Sequence, residues 1–303
     1  MTMPNRSGAG RVVMAALFWL SSCYANAGDK LLVYTVNYPL QYFAERIAGA
    51  HADVRFPAPA GIDPAFWEPD AKTVDQYREA DLILLNGAGY AKWVDEVSLP
   101  RHRLVNTSAS FTDAYLPTDA SAARGHGSGG DQSHAGTAST TWLDFYQAAQ
   151  QAEAVMQGLS SKRPHQQADF EYNYAALKQE LMALDLYMQR LVAAHPGKPL
   201  FVSHPVYQYF ARRYELRLQS VNWEPDVMPD EQEWVQLAYA QETFPALWML
   251  WQDTPDAQIR ARLQSLGVAA VVFQPCANRP SQGDFLEVMQ RNLDNLKLVF
   301  AGS

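Results

Sequence analysis

The chain has 303 residues, a formal net charge of −8 and only two cysteines. An acidic balance with no basic stripe excludes nucleic acid as the natural partner. The length exceeds one ordinary domain and fits two lobes of moderate size.

At the amino terminus Arg6 and Arg11 precede the apolar run Val12-Val-Met-Ala-Ala-Leu-Phe-Trp-Leu20. This is the pattern of a signal-peptide core, too short to span a bilayer as a helix. Ala25-Asn-Ala27 before Gly28 is a small-x-small cleavage site, whereas Leu20-Ser-Ser-Cys23 reads as a lipobox that would leave a lipid on Cys23. Both readings export the protein. Removing residues 1–27 takes away two arginines and no acid, so the mature charge becomes −10. Cys276 is then the remaining cysteine, which forbids an internal disulfide. Its place after an apolar strand-like run predicts a buried thiol.

The mature chain reads as α/β, two lobes with parallel-sheet cores. Leu31-Leu-Val-Tyr-Thr-Val36 and Asp81-Leu-Ile-Leu-Leu-Asn86 read as buried strands, each followed by a helical segment. In the second half, Leu200–Ser203, Leu216–Val221, Leu247–Trp251 and Ala269–Phe273 are expected strands, with helices at roughly 205–213, 231–241 and 256–266 between them. Between the halves, His165 to His195 contains neither Gly nor Pro. Phe170, Tyr174, Leu177, Leu181, Leu184, Met188 and Leu191 form a helical stripe there, bounded by Pro164 and Pro196. Such a helix would run roughly 45 Å, enough to brace both lobes. The expected organisation is a signal peptide over 1–27, an N-terminal lobe over 28–160, a linking helix over 161–196 and a C-terminal lobe over 197–303. Because lobe-building segments flank the helix on both sides, a coiled-coil dimer seam is the weaker reading and a monomer is expected. Residues 118–141 are mostly Gly, Ser, Ala, Asp and Thr, with His126 and His134, and read as a flexible loop. That loop is either a plain linker or a donor of metal ligands.

Several short segments cluster where strands end: Asp63-Pro-Ala-Phe-Trp-Glu-Pro69, Asn86-Gly-Ala-Gly89, Thr141-Trp-Leu-Asp144, Ser203-His-Pro-Val-Tyr-Gln-Tyr-Phe-Ala-Arg-Arg-Tyr214, and Val271-Val-Phe-Gln-Pro275 leading into Gly283-Asp-Phe285 and Asn292-Leu-Asp294. In this order and spacing the chain resembles the periplasmic zinc- and manganese-binding proteins of bacterial ABC importers, from about Leu31 to Leu298. The resemblance implies two lobes joined by one rigid helix, a periplasmic location, a divalent metal (Zn2+, with Mn2+ as the alternative) held between the lobes, and a permease and an ATPase as partners. The family's four ligand positions align with Ala65, Thr140, His204 and Gln274. Alanine cannot ligate, Thr and Gln suit zinc poorly, and only His204 keeps a ligating side chain.

Two readings follow. In the first the site is rebuilt around His204, with His134 from the loop and Glu68 as further ligands, and with Asp63, Trp67, Thr140, Trp142, Asp144, Glu224 and Gln274 lining the cleft. Affinity would then fall below about pH 6 as the histidines protonate. In the second, the cleft takes a non-metal or chelated-metal ligand, which Trp67, Trp142 and Trp223 would suit, or the protein is an accessory or adhesion protein that no longer transports. Asp144 is also expected to cap the helix Phe145–Leu159. Tyr207, Tyr209 and Phe210 are expected in the core. Asn86–Gly89 lacks the full dinucleotide fingerprint and reads as a tight strand-to-helix turn. No Gly-x-Ser-x-Gly elbow, P-loop or His-Glu-x-x-His motif occurs, and no catalytic activity is expected.

Overall fold

The computed structural model describes Met1 and residues 30–118, 136–223 and 227–301. The expected leader with Cys23, most of the 118–141 loop including His126 and His134, and Glu224 lie outside the described residues. Among the described residues no helix is long and apolar enough to cross a membrane.

Two four-stranded parallel sheets are built the same way. The first contains β1 (Leu31–Thr35), β2 (Ala52–Arg55), β3 (Leu82–Leu85) and β4 (Leu104–Asn106) in the order β2-β1-β3-β4. The second contains β5 (Pro199–Val202), β6 (Arg217–Ser220), β7 (Trp248–Trp251) and β8 (Ala269–Val272) in the order β6-β5-β7-β8. The apolar runs of β1 and β3 occupy central positions covered on both faces, which is why they carry no polar alternation. The edge strands β2 and β4 were not expected from the sequence. Ala-Asp-Val-Arg and Leu-Val-Asn are short and half polar, as edges tend to be, and so resemble loops.

Helices α1 (Tyr38–Ala48), α2 (Ala71–Glu79), α3 (Trp93–Glu96) and α4 (Phe145–Lys162) belong to the first half, and α6 (Gln208–Arg213), α7 (Glu231–Thr243) and α8 (Ala257–Ser265) to the second. Their starts are set locally. Asn37, Asp70, Asp144 and Asp256 each accept a hydrogen bond from the first turn, and Asp230 with Glu233 forms a reciprocal capping box.

The linking helix α5 (Gln167–Ala193) has 27 residues, so it is about 40 Å long. Its buried face carries Phe170, Tyr174, Leu177, Leu181, Leu184 and Met188 as expected; Val192 rather than Leu191 completes the stripe. Asp185 is buried on that same face. The final helix α9 (Phe285–Ala301), assigned from sequence to the second lobe, packs on α5 and α1 as well as β8, so the chain ends by stitching the lobes together. Asp284 and Glu287 cap its start reciprocally.

Candidate functional site

The loops that follow the strands of each sheet meet across the molecule, the usual place for ligands in open parallel sheets. Three hydrogen bonds from residues 138–142 fasten the lobes. Thr140 Oγ1 donates to the Val206 carbonyl at 2.5 Å, Trp142 Nε1 to the Pro275 carbonyl at 2.7 Å, and Tyr209 hydroxyl to the Ala138 carbonyl at 2.9 Å. Further along, the Tyr38 amide donates to the Ala277 carbonyl at 2.9 Å, and Asn278 Nδ2 to the carbonyls of Pro59 and Ile62, each at 2.7 Å.

Asp63, Tyr90 and His204 follow strands of the two sheets, and Asp63 interacts electrostatically with each of the other two. Asp63 follows β2 on the Asp63–Pro69 segment, and its Oδ1 accepts from the Ala65 amide at 2.9 Å. The residue as a whole is exposed on its loop, yet the protein surrounding its carboxyl pushes its pKa up; the Ala65 amide and the His204 imidazole partly offset this. Tyr90 ends the Asn86–Gly89 turn after β3. Burial first, and then the charge of Asp63, hold its phenol well above its ordinary pKa of 10.0. His204 is half-buried, immediately after β5 and the fully buried Ser203. Asp63 thus faces groups from both halves of the chain.

The Asn86–Gly89 turn is tight as expected, and a buried polar network holds it. Asn86 Oδ1 accepts from Asn37 Nδ2 at 3.1 Å and Gln151 Nε2 at 3.2 Å, while its own Nδ2 donates to the Ser139 carbonyl at 2.9 Å. Gly87 has φ +76°, and a Cβ there would collide with Ser108 Oγ and Asn106 Oδ1, so only glycine fits.

The other expected site residues are placed differently. Glu68 is exposed, whereas the His204 imidazole is among the groups that act on the Asp63 carboxyl. Trp67 packs edge-on against Trp93 at 6.4 Å. Trp142 is fully buried with its indole N–H used in the seam, so it is a strut rather than a ligand platform. Trp223 corrects the expectation that it borders the cleft. It sits 2% exposed in the second lobe's own core, against Trp234 at 4.7 Å and Trp251 at 6.1 Å. Asp144 caps α4 as expected and also meets Arg212 Nη2 at 3.3 Å. Gln274 Nε2 reaches Asp253 Oδ1 at 3.5 Å, and its backbone amide donates to Asn292 Oδ1 at 2.9 Å. Tyr207, Tyr209 and Phe210 are core residues, and Cys276 is buried and free.

Sequence reasoning missed Tyr90. The signal was the turn itself: four residues that reverse the chain after a central strand deliver the fifth side chain into the core, edge-on against Trp142. Among the described residues, no three or more His, Cys, Asp and Glu converge to hold a metal. The pair Asp63 and His204 supplies one carboxylate and one imidazole, half of a tetrahedral set.

Two parallel-sheet α/β lobes joined by one long helix define the class of fold. The family described as "Zinc-uptake complex component A periplasmic" matches residues 33–299, and the chain belongs to it. That family consists of uptake-complex components and not of enzymes. The chain is 25% identical over 294 residues to the zinc-binding lipoprotein AdcA of Streptococcus pneumoniae, covering 94% of this chain and 59% of that protein. It is 23% identical to the high-affinity zinc uptake system protein ZnuA of Bacillus subtilis, covering 95% of this chain and 96% of that one. The crystal structure of Zn(II)-bound AdcA from S. pneumoniae superposes with a TM-score of 0.77 at 22% identity, over 90% of this chain and 58% of that one. The chain therefore spans about three fifths of the length of the AdcA relatives, 59% in the S. pneumoniae case.

Proposed function

We propose that this protein is the exported binding component of an ABC importer, capturing a divalent transition metal, zinc foremost, between its lobes and delivering it to a permease. The observation that carries the reading is the match of residues 33–299 to the zinc-uptake family, with His204 half-buried directly after the first strand of the second lobe as the retained ligating side chain. Zinc takes imidazole and carboxylate together, and borderline softness favours this pair over the all-oxygen sets of magnesium or calcium. His134, together with Glu68 or Glu224, is our candidate for the remaining donors. The protein works as a monomer in the periplasm. Its leader is removed after Ala27, or is cut before Cys23 to leave a lipid anchor.

Capture proceeds as neutral His204 and ionised Asp63 close on the ion with little lobe movement, since the 138–142 seam and α5 already hold the halves together. Release requires the permease to prise open that seam. The test is elemental analysis of untagged mature protein, followed by zinc titration of chelator-stripped wild type and His204→Ala. One zinc per chain, lost in the variant, is the expected result. No metal, and no thermal stabilisation by zinc or manganese, would overturn the reading.

A further inference from the structure

We propose that the crevice between the start of α4 and the end of α6 is a second binding site, which takes a free α-amino acid with an apolar side chain. It contains none of the metal donors proposed above and stands without that reading.

The crevice has a volume of about 420 Å3, opens to solvent and is walled from both lobes. Asp144, Tyr146 and Gln147 line it from the start of α4, Arg212 and Arg213 from the end of α6, and Phe111 from the segment after β4. Gln147 is the residue that points to a ligand. It is 3% exposed, yet its Oε1 is buried with no hydrogen-bond partner in the protein. A glutamine three residues after a helix cap commonly accepts from the amide of the capping residue. Here the Asp144 amide donates instead to the Thr141 carbonyl at 3.2 Å, so the carboxamide is left over beside the crevice. An unmatched buried acceptor is costly, and it calls for a donor that the chain does not supply.

The facing wall offers donors. Arg212 gives Nη1 to the Ala114 carbonyl at 2.5 Å and Nη2 to Asp144 Oδ2 at 3.3 Å, while Arg213 gives Nε and Nη2 to Asp185. The Nε hydrogen of the first and the Nη1 hydrogens of the second stay outside these bonds. The rings of Tyr209 and Tyr146 lie against the two guanidinium groups at 5.2 and 5.3 Å and steady them.

Charge decides the class of ligand. Arg212 and Arg213 are balanced by Asp144 and Asp185, so the walls do not favour a net anion. A carboxylate for the guanidinium side joined to an ammonium for Gln147 Oε1 is neutral overall, and an α-amino acid carries both on one carbon. Phe111 and the exposed Tyr146 ring leave an apolar wall for its side chain. Bound there, the amino acid ties α4 of one lobe to α6 of the other.

Chelator-stripped mature protein is to be screened by thermal shift against the common L-amino acids at millimolar concentration. The most stabilising one is then titrated by calorimetry beside its analogues that lack the ammonium or the carboxylate; for phenylalanine these are 3-phenylpropionate and phenethylamine. Gln147→Leu and His204→Ala are titrated with the same amino acid. Gln147→Leu removes the unmatched acceptor at similar volume, so its ligand-free melting temperature should stay level or rise. Its affinity should fall about tenfold, the worth of one hydrogen bond to a charged group, and loss of either charged group from the ligand should cost at least as much. His204→Ala should bind the amino acid as wild type does. No response to any amino acid, equal binding of the analogue without its ammonium, or wild-type affinity in Gln147→Leu would each overturn the inference. Binding lost in His204→Ala and kept in Gln147→Leu would put the amino acid in the cargo cleft and overturn it as well.

Discussion

At the residue scale, the cleft holds a group whose ionisation opposes folding. The Asp63 carboxyl has its pKa raised in the folded protein, so its contribution to stability is present at pH below the ordinary carboxylate range and is lost as pH rises through the raised value. At neutral pH the ionised group is therefore a liability that a bound cation removes. Asp63→Asn is expected to raise the melting temperature of the metal-free protein while weakening zinc about tenfold or more, a trade of stability against function. Calorimetry in buffers of different ionisation enthalpy checks the linkage, since zinc binding should release protons and tighten as pH rises. Cys276 follows the same sign at higher pH. Burial pushes its thiol from 9.0 up to about 12, and Tyr38 beside it from 10.0 up to about 12. Both remain neutral in the native state well above the pH at which they ionise in the unfolded chain. Their contribution is intact below about pH 9 and disappears between there and about pH 12, which alkaline melting curves would show. Native mature protein should resist iodoacetamide at pH 8, reacting about a hundredfold faster once unfolded.

At the element scale, α6 is the piece that must be anchored, because it begins four residues after His204. Its end is held by the spine. Arg213 donates to Asp185 Oδ1 at 2.8 Å and Oδ2 at 2.6 Å, and the Tyr214 hydroxyl donates to Oδ1 at 2.9 Å. Asp185 is 5% exposed, and these bonds satisfy its buried carboxylate oxygens. Asp185→Ala leaves Arg213, 29% exposed, with only the longer Asp144 contact at 3.8 Å and the Tyr146 ring, and is expected to cost about 2 kcal/mol, measured by urea unfolding. Replacing Asp185 and Arg213 together by leucine should recover much of that, since no lone charge is then stranded. Asp144 serves a comparable role on the other lobe, capping α4 and meeting Arg212. Asp144→Ala is expected to cost about 1–2 kcal/mol, the usual range for a lost cap, with the half-exposed Arg212 contact adding little.

At the scale of the whole molecule, α5, α9 and the 138–142 seam make one body of two lobes. α5 runs along both halves, α9 returns from β8 to pack on α1, and the seam closes the face beneath the cleft. A molecule cross-braced in three places has little room for hinge motion. Small-angle scattering of metal-free and zinc-loaded protein should therefore differ in radius of gyration by less than about 1 Å, in keeping with pre-organised binding. A change of several ångströms would show that the seam opens.

The amino-acid sequence alone determined the strand runs of β1, β3, β5, β6, β7 and β8, the spine helix and its stripe, and the capping role of Asp144. These depend on local periodicity, propensity and side-chain-to-backbone bonds, all of which act within a few residues of chain. The motif order around Asp63, Asn86, Trp142 and Ser203 also sufficed to indicate the family. Tertiary structure decided the rest. The edge strands β2 and β4 are too short and polar to be seen without the neighbours that pair with them. The burial of Asp185 on the spine became sensible only when Arg213 and Tyr214 arrived from the other lobe. The cleft shows the limit most plainly. Glu68 and Asp63 are equally carboxylates, and Trp67, Trp142 and Trp223 equally indoles, so nothing local tells which faces the cargo. The packing sends Trp223 into the second lobe's core and Trp142 into the seam, and it brings Asp63 within electrostatic reach of His204, 141 positions along the chain. A binding site is a convergence of distant backbone segments, and that convergence is fixed by the sum of core contacts rather than by any residue in the site.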